Sequence, residues 1–154
     1  MHNATVTVFN RYYSKQLKAY TWYPHVLSGV YFNADKSANI EKTGLENADT
    51  AKLHIPYKLD GERVLIGDLE YMTPKAWEQQ PNDSYDNIIT FKTGEDFFIL
   101  GDFTSEPIND GDEVFNQGTY TGFEDYMNRY FDDVYSITTV GKYDLIPHFE
   151  IGGA

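Results

Sequence analysis

Residues 4–13 read Ala-Thr-Val-Thr-Val-Phe-Asn-Arg-Tyr-Tyr, and their apolar side chains alternate with polar ones around Val6 and Val8. A period of two is typical of a β-strand with one face buried. A polar turn at 14–18 leads to residues 19–23, which have the same character. We therefore predict that these two stretches pair as an antiparallel hairpin at the start of the fold.

Strand patterns recur along the rest of the chain. Further strands are predicted at 25–34, 36–42, 50–55, 88–92, 97–103, 134–140 and 145–151. Pro24 is expected at a strand end or a sheet edge because it cannot donate to a ladder. Gly29 is expected to form a bulge. The stretches 88–92 and 97–103 flank Thr-Gly-Glu-Asp, which predicts a second hairpin, and a turn is predicted at 141–144.

Two short helices are indicated by their first residues. Thr73 followed by Pro74 is typical of an N-cap and the first helical position. Thr121 and Glu124 have the spacing of a capping box, which predicts a helix of about ten residues. The pattern is otherwise weak over 57–86, where turn residues and charges dominate. We expect that segment to be a long loop or an insertion.

Length and composition fit one β-rich domain. The 154 residues suit a single domain spanning 1–154. The aromatic share is 16%, with 13 Tyr and 10 Phe, and such residues favour pleated, half-buried surfaces. Many short strands with little helix predict a mainly β fold, a small antiparallel barrel or sandwich with one or two short helices and a long middle loop.

The charge is strongly negative and unevenly spread. The net charge is −12, and residues 61–154 carry five basic and nineteen acidic side chains against seven and five in residues 1–60. Ordinary DNA binding is disfavoured because duplex affinity comes from Lys and Arg at phosphates. The N-terminus lacks a signal-peptide pattern, and no apolar run approaches the length of a membrane span, so we expect no membrane partner.

The sequence offers no pattern of an enzyme. It has no cysteine, and its four histidines share no ligand-like spacing. Neither a nucleophile elbow nor a phosphate-binding loop is present, so we expect no catalytic residue and no cofactor. Asp110 and Asp112 alternate in an acidic loop and are weak calcium candidates, but Asn-Asp-Gly is turn chemistry in its own right. A plain turn is the preferred interpretation.

A second class of function stays open, that of a small β-sandwich carbohydrate-binding module or hydrolase. Adjacent acids at 95–96 and 132–133 could form a glycosidase pair if a cleft held them at the right separation. Trp22, Tyr23 and Tyr31 with Phe32 could form a sugar-binding platform. Packing in a core or on a sheet face is the preferred use of these rings.

Several stretches together carry a resemblance to a known class of protein. They are Ala4–Tyr12, Tyr20–Val30, Leu53–Pro56, Phe91–Asp102, Tyr135–Asp144 and Pro147–Gly153. In these strand patterns the chain resembles minor capsid or head–tail connector proteins of tailed phages of Gram-positive bacteria. Its general layout is similar to the head-closure, or stopper, family, a β-barrel with long loops that assembles as a ring beneath the portal.

The resemblance implies a non-enzymatic virion subunit that forms a homo-oligomeric ring, contacts portal or adaptor and tail-side proteins, and is present in the host cytoplasm during assembly. Segment 57–86 would line or plug the DNA channel, and acidic surfaces would let DNA pass without sticking. The residues expected at an interface or in the channel loop are Tyr12, Tyr13, Trp22, Tyr71, Trp77, Asp83 and Asp86. A tail terminator or a capsid accessory protein is an alternative within the same class.

Overall fold

A computed structural model of the chain describes residues 4–15, 18–34, 50–80, 85, 87–118 and 121–154. The elements are β1 (Ala4–Ser14), β2 (Ala19–Ala34), β3 (Ala51–Pro56), β4 (Lys58–Asp60), β5 (Arg63–Ile66), β6 (Leu69–Tyr71), α1 (Pro74–Glu78), β7 (Ile88–Ile89), β8 (Phe97–Leu100), β9 (Ile108–Asn109), a 3-10 turn (Glu113–Phe115), α2 (Phe123–Tyr130), β10 (Val134–Tyr143) and β11 (His148–Gly153). The predicted strand at 36–42 lies outside the described residues.

Six strands close into an antiparallel barrel. Their order is β1-β8-β10-β11-β3-β2, and β2 pairs back with β1. The mainly β fold with a small barrel and short helices is therefore confirmed. None of the helices in the described part of the chain has the length and apolar character needed to cross a membrane.

The opening hairpin forms as predicted, but its second strand is longer than expected. β2 is one strand of 16 residues and not two strands interrupted at Pro24. Pro24 lies opposite Phe9 of β1, while the other edge of β2 pairs with β9 only at Thr21 and Trp22 and with β3 only from Tyr31 onward. A proline between those two contacts interrupts no ladder on that edge.

Gly29 is at the predicted bulge. The register between β1 and β2 shifts between Ala4–Val30 and Val6–Leu27, and Gly29 has a φ of 68°. A left-handed backbone of this kind favours glycine because it has no Cβ. The bulge bends β2 so that its last four residues pair with β3, which helps to close the barrel.

The barrel interior is filled by side chains from all six barrel strands. Its fully buried members include Leu53, Ile55, Phe98 and Phe149. Side chains at the alternate positions of the barrel strands point outward. On one side of the barrel they pack against α2 and form a second buried cluster. That cluster comprises Phe9, Trp22, Phe97, Ile99, Phe123, Met127 and Val134. The barrel interior is therefore a packed core.

Segment 57–86 lies between barrel strands β3 and β8 and is folded where it is described. It contains β4, β5, β6 and α1, and β6 pairs in parallel with β7. The predicted start of α1 is confirmed, since Thr73 accepts a hydrogen bond from the amide of Ala76 and Pro74 is the first helical residue.

The predicted hairpin between 88–92 and 97–103 is wrong. β7 joins the small sheet through β6, whereas β8 pairs with β1 and β10. The chain turns because the buried carboxylate of Asp96 accepts hydrogen bonds from the backbone amides of Lys92 and Arg11, each at 2.9 Å. The two hydrogen bonds to this carboxylate hold the turn, and the strand-to-strand hydrogen bonds of a hairpin do not form.

The last two predicted strands form, but the bounds of the turn between them were wrong. β10 extends to Tyr143, the turn occupies 144–147, and β11 begins at His148. The turn was predicted at 141–144 with the strand resuming at 145. The observed register pairs Tyr143 with His148 and Gly141 with Glu150, and this pairing places several polar residues together on the outer face.

Candidate functional site

The turn between β10 and β11 exposes two apolar side chains. Leu145 is 97% exposed and Ile146 is 75% exposed; these two residues are called the apolar tip below. The turn is anchored at its base because the hydroxyl of Tyr57 donates to the carbonyl of Tyr143 at 3.0 Å and to the carboxylate of Asp144. The bond from Tyr57 to this carboxylate, together with the hydrogen bond and charge of Lys142, lowers the pKa of Asp144 below its ordinary value. The tip is thus presented by a fixed turn.

The structure buries the two tryptophans among the predicted interface residues. Trp22 is 1% exposed and Trp77 is 0% exposed. Trp22 belongs to the cluster beneath α2, and Trp77 packs with Tyr85 at a ring separation of 4.5 Å. Neither ring can contact a partner or a glycan while its surroundings stay folded. A platform centred on Trp22 is therefore not formed.

The other predicted interface residues have mixed positions. Tyr12 and Tyr71 are half-buried, Tyr12 against Tyr85 and Tyr71 against Phe149, each at 4.6 Å between rings. Tyr13 is 47% exposed and is the member most available to a partner. The remaining two, Asp83 and Asp86, lie outside the described residues.

The acidic loop serves to hold the fold together. Oδ1 of Asp110 accepts hydrogen bonds from the indole nitrogen of Trp22 at 2.7 Å and from the amide of Phe123 at 2.9 Å. Asp112, the other calcium candidate, is exposed and makes no side-chain capping bond. An oxygen occupied by two donors is poorly placed to bind a cation, so the preferred interpretation as a turn fits this geometry.

The same contact corrects the capping-box prediction. The N-cap of α2 is Gly122, without a side-chain cap of its own, and Asp110 supplies the acceptor from 13 residues away. The amide of Thr121 donates to Asp125, while Glu124 accepts from the hydroxyl of Ser136. Thr121 and Glu124 therefore do not cap each other, and the helix has eight residues.

The acid pair at 95–96 does not resemble a glycosidase pair. Asp96 is 1% exposed, and burial raises its pKa to about 6 despite its hydrogen bonds and the nearby Lys92. Glu95 points to Arg11, with 3.6 Å between the charged groups. One carboxylate is thus sealed in the core while its neighbour is at the surface.

A different group of residues is brought together on the outer face of the barrel. In the β3–β11 ladder His54 lies directly opposite Glu150, and His148 is two residues before Glu150 on the same face. The carboxylate oxygen of Glu150 is 3.4 Å from Nε2 of His54 and 3.7 Å from Nε2 of His148. All three side chains are partly exposed. These three residues are called the imidazole–carboxylate cluster.

The cluster is fixed by its neighbours. The rings of His54 and His148 stack at 5.4 Å with 5° between their planes. Tyr143 stacks on the far side of His148 at 5.0 Å, and Tyr31 meets His54 edge-on at 5.8 Å. Nδ1 of His148 is 2.6 Å from the carbonyl oxygen of Ile146. Four adjacent strands thus position one row of rings.

Sequence reasoning missed this cluster because it considered spacing along the chain only. His54 and Glu150 are far apart in sequence and meet only through the register of β3 against β11. A weak local signal was present, since His148 and Glu150 alternate in a strand and therefore share a face.

A family model described as "Family of unknown function (DUF6751)" matches residues 1–154. No curated protein and no solved structure matches the chain.

Proposed function

The chain belongs to the family of unknown function DUF6751, and we propose that it is a non-enzymatic structural subunit of a phage particle, a ring-forming head–tail connector of the head-closure type. The observation that carries the proposal is the apolar tip on a closed, acidic barrel. The resemblance in strand pattern supports the choice of particle.

The apolar tip supports assembly with a second copy of the chain. Burying the side chains of Leu145 and Ile146 would contribute roughly 3–6 kcal/mol of gross hydrophobic free energy at each contact. Closure of the six main strands removes their edges, so copies would join through side chains and turns instead of by adding strands to the barrel. A ring repeats such a contact at every subunit boundary.

The receiving surface in this proposal is the exposed pair Tyr13 and Tyr20. The two rings are 47% and 37% exposed and pack edge to face at 5.2 Å. The guanidinium of Arg11 lies over the Tyr20 ring, 4.2 Å from its centre. Tip and tyrosine pair are different patches, and contacts between different patches generate rings when the rotation closes.

The charge distribution supports a place beside the DNA channel. Residues 61–154 carry nineteen acidic and five basic side chains. A negative lining repels the phosphate backbone and leaves DNA free to slide. In the proposal, portal or adaptor protein lies on one side of the ring and tail-side proteins on the other.

Size-exclusion chromatography with light scattering tests the assembly of the full chain, alone and mixed with candidate portal and tail-side proteins. We expect a closed oligomer or a complex that the double variant Leu145→Asp/Ile146→Asp abolishes. The matched control is Leu59→Asp/Val114→Asp, which alters two other exposed apolar side chains. A strict monomer that binds none of these partners contradicts the proposal.

The alternative of a carbohydrate-binding module gains no support from the described residues, since both tryptophans are buried. A glycan array probed with the folded wild-type chain discriminates between the two classes. Only the carbohydrate class expects saturable glycan binding.

A further inference from the structure

We propose that the imidazole–carboxylate cluster, His54, His148 and Glu150, is a binding site for a divalent first-row transition metal ion, with Zn²⁺ as the reference ion. The proposal is independent of the assembly role. It rests on the geometry of three side chains on two paired strands.

The distances between the ligand atoms suit one shared ion. Zn–N and Zn–O bonds of about 2.0–2.2 Å in a tetrahedral site separate neighbouring ligand atoms by about 3.3–3.6 Å. The carboxylate oxygen of Glu150 lies 3.4 Å and 3.7 Å from the Nε2 atoms of His54 and His148, and one ligand atom from each of the three residues lies within 4.8 Å of the others. Because the two imidazole planes lie within 5° of each other, the rings must tilt toward each other for both Nε2 lone pairs to meet at one ion.

The hydrogen bond of His148 turns its Nε2 atom toward Glu150. Its Nδ1 is 2.6 Å from the carbonyl oxygen of Ile146, and a carbonyl can only accept, so Nδ1 carries the proton. In the neutral ring Nε2 then holds a lone pair that faces the carboxylate of Glu150, another acceptor. Either a metal ion or a second proton on the ring can lie between these two acceptors, which are 3.7 Å apart, and titration with Zn²⁺ decides between them. A backbone carbonyl on the second nitrogen is also the usual outer partner of a metal-bound histidine.

The framework holds the ligands in place before an ion binds. All three residues lie on barrel strands, and positions on strands are held more precisely than positions on loops. The strand pair β3–β11 is itself enclosed by β2 and β10. The rings of Tyr31 and Tyr143 limit the rotation of His54 and His148 from outside.

The ligand set selects the class of ion. Two imidazoles with one carboxylate suit Zn²⁺, Co²⁺, Ni²⁺ and Fe²⁺, whereas Ca²⁺ and Mg²⁺ prefer oxygen ligands alone. Because the three side chains are only partly buried, water completes the coordination. The cluster borders a shallow surface cavity of about 200 Å³ that Lys52 and Glu150 help to line, which leaves the open position accessible.

Isothermal titration of the tag-free full chain with Zn²⁺ tests the site. We expect one ion per chain and visible absorption bands of four-coordinate Co²⁺ when that ion replaces Zn²⁺. His54→Ala, His148→Ala and Glu150→Gln should each weaken Zn²⁺ binding by more than about tenfold, the least that loss of even an outer partner costs. His2→Ala and Glu113→Gln are matched controls that should bind normally.

Two results would overturn the site. The first is no saturable Zn²⁺ binding by the wild-type chain. The second is binding that persists in all three cluster variants or that depends on His2. Glu150→Gln keeps the shape of the side chain, and its circular dichroism spectrum verifies that a loss of binding is not a loss of fold. Light scattering of the same variants separates this result from the assembly proposal.

Discussion

Replacement of Asp110 tests whether the acidic loop is structural or binds a metal. Its Oδ1 atom accepts from the buried indole of Trp22 and from the first amide of α2, at Phe123. Asp110→Ala removes both acceptor contacts. An unsatisfied buried donor costs about 1–3 kcal/mol, and loss of a helix cap costs about 0.5–2 kcal/mol. We expect the free energy of unfolding to fall by about 2–4 kcal/mol.

Asp110→Asn distinguishes the contribution of the two hydrogen bonds from the contribution of the negative charge. An asparagine can keep one oxygen at the position of Oδ1 and accept from both donors, so only the charge-assisted part is lost, about 1 kcal/mol. Asp112→Ala is the matched control because Asp112 is exposed and its side chain caps nothing. A surface change of that kind stays within about 0.5 kcal/mol.

Urea unfolding followed by tryptophan fluorescence measures all three variants, because Trp22 is itself one of the two donors. Thermal unfolding should show a fall of about 6–12 °C for a loss near 3 kcal/mol in a chain of this size. Equal stability of Asp110→Ala and Asp112→Ala would refute the reasoning. A rise in the wild-type melting temperature with Ca²⁺, absent from Asp110→Asn, would instead restore the calcium interpretation.

Two further predictions concern buried titratable groups. Burial lowers the pKa of His25 to about 4, so below about pH 6.5 the unfolded chain binds a proton that the folded chain does not, and stability is lost as the pH falls toward 4. His25→Leu should reduce the difference in unfolding free energy between pH 7 and pH 4.5 by about 2–3 kcal/mol. An unchanged difference contradicts this prediction. Lys92 lies with its Nζ 3.7 Å from Oδ1 of Asp96 and 4.4 Å from the ring centre of Trp77, so Lys92→Met should cost about 3–5 kcal/mol at pH 8. The cost of Lys92→Met should be smaller at pH 5, because the pKa of Asp96 is raised to about 6 and its carboxyl is then mostly neutral. A raised pKa means that this carboxyl contributes stability at low pH, which is lost as the pH rises through 6. An equal cost at pH 5 and pH 8 counts against the buried pair of Lys92 and Asp96.

The sequence was sufficient for elements whose signals are local. Alternation located β1 and β10, Thr73 with Pro74 located the start of α1, and Gly29 marked the bulge. Each of these depends on a side-chain period or a backbone preference that a few neighbouring residues determine. Such signals survive folding because the tertiary structure does not oppose them.

Elements decided by distant contacts could not be predicted in this way. The parallel pairing of β6 with β7 depends on where the chain turns after Ile89, and the buried carboxylate of Asp96 determines that turn. The cap of α2 comes from Asp110, which no local motif indicates. These distant contacts form in place of a simple hairpin and a capping box because they involve groups that are buried together in the fold.

The candidate sites show the same division. The predicted interface residues were chosen as aromatic, but the sequence could not tell exposed Tyr13 from buried Trp22 and Trp77. The imidazole–carboxylate cluster depends on a register, and a slip of one residue would turn His54 to the other face of the sheet. Its members therefore became visible only in the paired strands.

Electron cryomicroscopy of purified phage particles from a host that carries this gene tests the central claim most directly. The account predicts a ring of six-stranded barrels between portal and tail, with Leu145 and Ile146 buried at every boundary between subunits. Two results would contradict this prediction. One is a particle in which the chain lies at another place, and the other is peptide mass spectrometry that finds none of the chain in infectious particles.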